Sequence, residues 1–530
     1  QHVNPLFLPG VELDPGISAT SDLNEAARAD AILLVVPAQF LRSTCRALAP
    51  HMDIDTPLVI CAKGIELESG ALMNEVVEAV LPGRPLAALS GPTFAIEAAR
   101  DAVGRFVGYD PNLDQVLFTG NGATGALNFL ARVLYPHELR LWLRGNLGTL
   151  PETAEDSRGE RALALLRARL QRPLVVTSVM EHHSNLLPWV EAVGRDNLRP
   201  VETAANGTLD LNHLQSVLET EGHKVSLVAI NGTSNVTGVI NDIHAIAKLA
   251  HKYGAMIVVD AAQMAPHQPI NIHSDDPTAS IDFVALSGHK MYAPGSRGAL
   301  VGRLAPVVGT RCIGDVGGGM AAAVSLDDFR IVDELTAREE AGTPNIPGTV
   351  AMGLAAELLM DVGMKNVQER EHDLNKAFLD RLASIEGVKL YGPGDDHSVD
   401  RAGVIALNVG DLPDGLVATY LDHGWNIAVR NGCFCAHPYV KRLLGVDKES
   451  EQAYLDQLDD GDWRYVPGMV RVSLGVYSTL EDLEVLATAL EEISSRRDEL
   501  EAAYTHELNG AFVRRDEKAR SVLASRPFTL

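Results

Sequence analysis

The chain has 530 residues, 46% hydrophobic and 22% charged. That composition excludes a disordered, collagenous or disulfide-stapled protein, and at about 150 residues per domain the length excludes a single small module. With 70 Asp and Glu against 45 Lys and Arg, the formal net charge is −25, which repels phosphate backbones and anionic lipid and argues against nucleic-acid or membrane partners.

Five cysteines, Cys45, Cys61, Cys312, Cys433 and Cys435, form no closely spaced framework. Apolar runs stay well short of the ~20 residues a bilayer requires, and no basic-then-apolar leader opens the sequence. A soluble, cytoplasmic protein is therefore expected.

In chain order, residues 20–27 read as a short capped helix, followed by the unbroken apolar run Ala31-Ile32-Leu33-Leu34-Val35-Val36 that stops at Pro37. A run without alternation predicts a strand covered on both faces, as in a parallel sheet. Leu58-Val59-Ile60-Cys61 and Leu86-Ala87-Ala88-Leu89 repeat the pattern. No Gly-x-Gly-x-x-Gly turn precedes Ala31 to cradle a dinucleotide pyrophosphate.

Near residue 100 a longer series begins. From Leu117-Phe118-Thr119 onward, Leu174-Val175-Val176-Thr177, Ser226 to Ile230, Met256 to Val259 and Phe283 to Leu286 predict a second parallel sheet with helices between its strands. Residues 140–172 read as a surface excursion. A long helical stretch is predicted over 350–385, strands over 403–409 and 469–474, and a charged helix from Thr479 to about Tyr504. The resulting organisation is a first segment over 1–100, a large domain over 101–345, a small α+β domain over 346–508 and a charged tail over 509–530.

The second series places chemistry at strand ends. Val258-Val259-Asp260 ends one strand in an acid, and Ser287-Gly288-His289-Lys290 follows the next. A lysine amine, a carboxylate to hold a pyridine nitrogen protonated and donors for a phosphate are what pyridoxal phosphate requires, although an acid and a lysine also fit an ordinary strand-end ion pair. Gly120-Asn121-Gly122-Ala123-Thr124-Gly125 opens a helix and offers amides and the Thr124 hydroxyl to a phosphate. His182 and His183 are adjacent and diverge, so stacking on a planar ring fits them better than a shared metal. Asn235 offers an amide to a ring oxygen. Cys433, Cys435 and His437 lack a fourth ligand, and no metal site is expected.

Two family resemblances follow from these motifs. Residues 3–99 resemble the middle of NAD-dependent glycerol-3-phosphate dehydrogenase, through Asn4-Pro5 with Leu8-Pro9-Gly10, Val36-Pro37, Ala62-Lys63-Gly64-Ile65-Glu66 and Ser90-Gly91-Pro92-Thr93-Phe94-Ala95. That likeness implies that Lys63 lies near cofactor and substrate, but the glycine fingerprint and the helical substrate domain have no counterpart, so a fusion remnant is the leading expectation.

Residues 101–500 resemble cysteine desulfurases and selenocysteine lyases of the class V aminotransferase family, fold type I pyridoxal-phosphate enzymes. The motifs are Thr124-Gly125-Ala126-Leu127-Asn128, Met180-Glu181-His182-His183-Ser184-Asn185, Asp260-Ala261-Ala262-Gln263, Ser287-Gly288-His289-Lys290, Glu340-Ala341-Gly342-Thr343-Pro344-Asn345, Arg430-Asn431-Gly432-Cys433-Phe434-Cys435-Ala436 and Arg471-Val472-Ser473-Leu474. The resemblance implies an α/β large domain with a small α+β domain and an N-terminal partial Rossmann-like segment.

It further implies that Lys290 holds the cofactor's aldehyde, that Asp260 faces the pyridine nitrogen, Gln263 and Asn235 the ring oxygen, and that His182 stacks on the ring. Thr124, Ser287 and His289 bind the phosphate, with Thr343 reaching it across a homodimer. Cys435, on a loop expected to be mobile, is the implied nucleophile that takes sulfur from L-cysteine for an acceptor protein. Arg471 and Arg430 bind the substrate carboxylate, and Cys433 is a candidate disulfide partner or persulfide relay. The family's usual segment ahead of the phosphate-binding turn is replaced here by the dehydrogenase-like sequence. A selenocysteine lyase or other class V enzyme, an NAD-dependent oxidoreductase and an inactive fusion are the alternatives.

Overall fold

A computed structural model of the chain describes residues 3–4, 8–12, 18, 20–62, 64–88, 92–136, 139–140, 170–308, 314–394 and 396–515. Lys63, Cys312, most of the expected excursion and the end of the tail lie outside the described residues. The chain divides into two units, residues 1–97 and 98–530.

In the first unit β1 (Val3–Asn4) and β2 (Leu8–Glu12) pair antiparallel. The apolar runs become β3 (Ile32–Leu34), β4 (Leu58–Ile60) and β5 (Leu86–Ala88), a three-stranded parallel sheet in that order, with Ile32 opposite Leu58 and Leu58 opposite Leu86. The helices Ala38–Leu48 and Met73–Val80 bury Leu41, Cys45, Leu48, Val76 and Val77 in one core with Leu34, Leu58 and Ile60. The expectation that the first strand is covered on both faces is corrected here. Leu33 is 58% and Val35 71% exposed while Leu34 is buried, so the run alternates in burial although it does not alternate in residue type.

The second unit is built on a seven-stranded sheet. Its members are β6 (Gln115–Thr119), β7 (Leu174–Ser178), β8 (Leu198–Val201), β9 (Val225–Asn231), β10 (Met256–Asp260), β11 (Phe283–Ser287) and β12 (Gly298–Gly302), in the order β6-β12-β11-β10-β9-β7-β8. β12 runs antiparallel to both of its neighbours and all other pairs are parallel. The sheet is thus mixed, which the family resemblance allows although the apolar runs alone predict a parallel one, because the chain after Lys290 turns straight back and needs no crossover helix. β9 and β11 are buried at every residue, and Leu127, Leu130, Trp189, Val258 and Phe283 belong to one core cluster beside them.

The strands β13 (Ala321–Val324) and β14 (Phe329–Ile331) form an antiparallel pair. The helical stretch that follows is two helices, Ile346–Val362 and Met364–Ala383, bent by 73°. Gly363 makes the break at φ +84, in the left-handed region open to glycine. β15 (Val388–Leu390), β16 (Val404–Val409), β17 (Arg430–Gly432) and β18 (Met469–Ser473) make an antiparallel sheet in the order β15-β16-β18-β17. Leu379, Leu382, Leu407, Leu421, Val470 and Leu490 lie in its core.

Thr479 caps the helix Leu480–Ser495 in a reciprocal pairing with Asp482. A second helix, Arg497–Ala503, follows it to about where the charged helix was expected to end, and β19 (Tyr504–His506) pairs with β20 (Phe512–Arg514), the latter lying in the segment read as a tail. Among the described residues no single helix is long and apolar enough to cross a membrane.

Candidate active site

Parallel strands direct their carboxyl ends to one edge of a sheet, and ligands collect there. β6 ends at Thr119 and turns through Gly120 and Asn121 into the helix Gly122–Leu134. β7 leads to Glu181-His182-His183, β9 ends at Asn231, β10 at Asp260, and β11 at Ser287 just before Lys290.

These ends enclose a cavity of about 560 Å³, its open mouth included, lined by Thr124, His182, Asn235, Asp260, Gln263, Ser287, His289 and Lys290. Every residue expected to hold a cofactor is therefore brought together except Thr343, which is exposed and is not part of this lining. Asn121, Ser184, Asn231 and Thr233 also line the cavity and were missed. The available signal was position, since each directly follows or ends a strand, or borders a quoted motif.

Asp260 and Lys290 follow neighbouring parallel strands, β10 and β11. Burial pushes the Asp260 carboxyl above its ordinary range, while the amide of Ala262, donating to Oδ1 at 3.0 Å, and the charge of Lys290 pull it back. Burial pushes the Lys290 amine down, with Asp260 opposing and Arg471 adding to the fall. Its Nζ donates to Gln263 Oε1 at 3.3 Å. Burial first, then Lys290, His183 and Arg471, takes His182 down to about 4, so its ring is neutral at pH 7. Nδ1 of His182 accepts from the Ser184 amide at 3.1 Å, which leaves the proton on Nε2. His289 is lowered by burial and then by Lys290.

The opposite end of the cavity suits an anion. The Ala123 amide donates to Ser287 Oγ at 2.8 Å, and the Thr124 and Ser184 hydroxyls lie 2.6 Å apart. Gly122 sits at φ +59, and a Cβ there would approach Ser287 Oγ to 2.9 Å and His289 to 3.2 Å. The start of a 13-residue helix thereby presents its amides beside hydroxyls and an imidazole. Gly298, at the start of β12, admits no side chain either, because a Cβ would meet the Gly122 carbonyl oxygen at 2.1 Å.

The cysteine loop, expected to be mobile, carries hydrogen bonds at three residues: Gly432 N donates to Asp414 Oδ2 at 2.8 Å, Asn235 Nδ2 donates to the Phe434 carbonyl at 2.8 Å, and His183 N donates to the Cys435 carbonyl at 2.7 Å. Phe434 and Cys435 adopt φ +51 and +55, rare for residues with a Cβ, and these bonds hold them there. The exposed Cys435 acts electrostatically on both Lys290 and Arg471. Asn235, expected at a ring oxygen, also ties this loop to the cavity wall.

Cys433 is buried and donates to the Pro467 carbonyl at 3.0 Å, and burial, with Asp414 adding to it, pushes its thiol up to about 11. It is thus protonated at neutral pH, a poor state for a relay. Arg471 on β18 and Arg430 on β17 are cross-strand partners. Arg471 donates to the Asn235 carbonyl at 3.0 Å and lies over the Phe434 ring at 5.2 Å, and burial, then Arg430, lowers its pKa. Its Nε is buried with no partner among the described residues, as is the hydroxyl of the cavity residue Thr233.

These orphaned polar atoms, the anion cradle at Gly122 and the paired acid and lysine fit pyridoxal phosphate with an amino acid beside it.

Comparison with known proteins gives two family matches. The aminotransferase class-V model matches residues 162–486, and the model of the NAD-dependent glycerol-3-phosphate dehydrogenase N-terminus matches residues 1–109. A probable cysteine desulfurase of Halalkalibacterium halodurans is 33% identical over 403 residues, 76% of this chain and 82% of the relative. A cysteine desulfurase of Escherichia coli is 35% identical over 327 residues, 60% of this chain and 70% of the relative.

Among solved structures, the apo cysteine desulfurase of Thermococcus onnurineus superposes with a TM-score of 0.58 at 29% identity, covering 76% of this chain and 84% of that one. The Escherichia coli desulfurase CsdA, at 22% identity and a TM-score of 0.57, covers 85% and 90% and shares the fold.

Proposed function

We propose, from the premise that this chain belongs to the class-V aminotransferase family, that it is a pyridoxal-phosphate cysteine desulfurase, taking sulfur from L-cysteine and releasing L-alanine. The observation that carries the reading is the meeting of Asp260 and Lys290, from neighbouring strand ends, in one cavity with the Cys435 thiol in electrostatic reach of that lysine.

Lys290 would hold the cofactor, Asp260 would face its pyridine nitrogen, Gln263 and Asn235 its ring oxygen and His182 its ring face, with Thr124, Ser287 and His289 on its phosphate. Bound there, the group supplies an electron sink for the charge left when a proton leaves an amino acid's Cα. Arg471, with Arg430 beside it, grips the substrate carboxylate in a two-pronged contact that its unpartnered Nε leaves open. Burial that lowers the Lys290 amine leaves more of it free to take and return the Cα proton. The Cys435 thiolate attacks the substrate sulfur: an S–S bond forms while the substrate's carbon–sulfur bond breaks, and the electron pair left on carbon is capped by a proton to give alanine.

Residues 101–345 serve as the cofactor domain in this reading, and 346–508 supply the cysteine loop and the carboxylate grip. The exposed Thr343 reaches the phosphate of a second copy in a homodimer, and the persulfide passes to an acceptor protein. Purified chain given pyridoxal phosphate should turn yellow and, with dithiothreitol present to reduce the Cys435 persulfide, release sulfide and alanine from L-cysteine, and Lys290→Ala should do neither. A colourless wild type overturns the proposal.

A further inference from the structure

Behind the cavity wall lies a polar chain that the reaction as described does not use. His267 is 4% and Glu371 2% exposed, and two buried polar groups side by side are costly unless each is matched. They are matched in series. Gln263 Nε2 lies 3.2 Å from His267 Nε2, His267 Nδ1 lies 2.6 Å from Glu371 Oε1, and Glu371 Oε2 accepts from the Gly403 amide at 3.0 Å. Glu371 belongs to the helix Met364–Ala383, and Gly403 immediately precedes β16, so the chain of bonds runs from the strand-end loop at Gln263 to the start of the small sheet.

The order of donors in this series has one consistent assignment with a neutral ring. A carboxylate only accepts, so His267 donates from Nδ1 to Glu371. Nε2 of the same ring is then an acceptor, and the side of Gln263 that faces it must be the amide NH₂. That leaves Oε1 of Gln263 for the other side, where Lys290 Nζ stands at 3.3 Å. We infer that His267 and Glu371 are positioning residues that fix which face of the Gln263 amide is turned to Lys290. Remove the carboxylate and the imidazole is free to adopt either tautomer, so Gln263 is free to turn its NH₂ toward the lysine. The inference rests on the proposed role of Lys290 as the amine that holds pyridoxal phosphate.

An acceptor at Lys290 favours the ammonium form, so its loss lowers the pH at which the amine becomes free. The other groups acting on the lysine, namely Asp260, Cys435 and Arg471 with His182 and His289, are unchanged by substitution at 267 or 371, and Tyr292 is the further titratable group that Glu371 acts on. The test is the rate at which the visible band grows when pyridoxal phosphate is added to the apo chain across a pH series. The cofactor's own titration is common to every sample.

Glu371→Gln should move the midpoint of that profile to lower pH by about half a unit to one unit. His267→Phe, which keeps a ring and removes its nitrogens, should do the same. In a Gln263→Leu background, itself shifted the same way, Glu371→Gln should add nothing. A role confined to packing would slow uptake at every pH and leave the midpoint in place. If wild type colours and both variants keep its midpoint, this inference fails and the proposed function stands. If wild type never colours, both fall.

Discussion

The chain contains one parallel sheet and one mixed sheet, and the ends of their parallel strands have different chemical content. β3, β4 and β5 lead into Val35-Val36-Pro37, Cys61-Ala62 and Leu89. β9, β10 and β11 end in Asn231, Asp260 and Ser287, with Lys290 three residues on. The topology that makes a crevice is present in both, but among the described residues, which leave out Lys63, only the second collects an acid, an amine and anion donors in it. Burial differs in the same direction: β9 and β11 are buried throughout, whereas Leu33 and Val35 stand open in the first sheet. A strand end becomes a site when its loop brings polar groups into a space dry enough to shift their protonation, as it does for Asp260, Lys290 and His182.

Four experiments break or sharpen this contrast. Lys290→Ala should abolish the visible band and lower sulfide release about 10³-fold or more, and residual turnover near wild type would remove the second sheet's claim to chemistry. Cys435→Ala should retain the band and lose sulfide transfer by a similar factor. A variant that still forms persulfide would move the nucleophile elsewhere, with the protonated Cys433 the first residue to examine.

A smaller effect concerns Glu181, which is buried beside this site and accepts from Ser178, Asn185 and the Asn231 amide. Burial raises its carboxyl to about 8 from an ordinary 4.5. The unfolded chain releases this proton above pH 4.5 and the folded chain only near 8, so wild-type stability falls as pH rises through that window. The thermal midpoint of Glu181→Gln should therefore gain on that of wild type between pH 5 and 8, and a difference that stays constant with pH would contradict the burial argument. The smallest expected effect is in the first unit: titration of residues 1–530 with NADH should leave its fluorescence unchanged, since residues 1–31 hold no Gly-x-Gly-x-x-Gly turn. Saturable binding would make the first sheet a working site.

Much of the site was legible because its residues sit in short local motifs at the ends of apolar runs, where a strand must stop and a loop must start. β12 was not legible: Gly298-Ala299-Leu300-Val301-Gly302 is brief and bounded by glycines, and its pairing with β6 brings Gly298 close against the distant Gly122. β8, interrupted by Pro200 and only partly buried, gave no apolar run to read. The break at Gly363 was hidden inside continuous helical composition.

The cysteine loop taught the same lesson in reverse. Its glycine-containing sequence reads as freedom, yet Asp414, Asn235 and His183, from three distant parts of the chain, hold it.

The sequence by itself determined which segments bury apolar surface, which residue types stand at the strand ends, and hence the class of chemistry, because those properties depend on residues close together along the chain. Only the tertiary structure decided that β12 reverses the sheet, that the Cys435 loop is clamped, and that His267 meets Glu371 across 104 positions. Hydrogen bonds between distant residues are set by how the elements pack, and no local pattern records that.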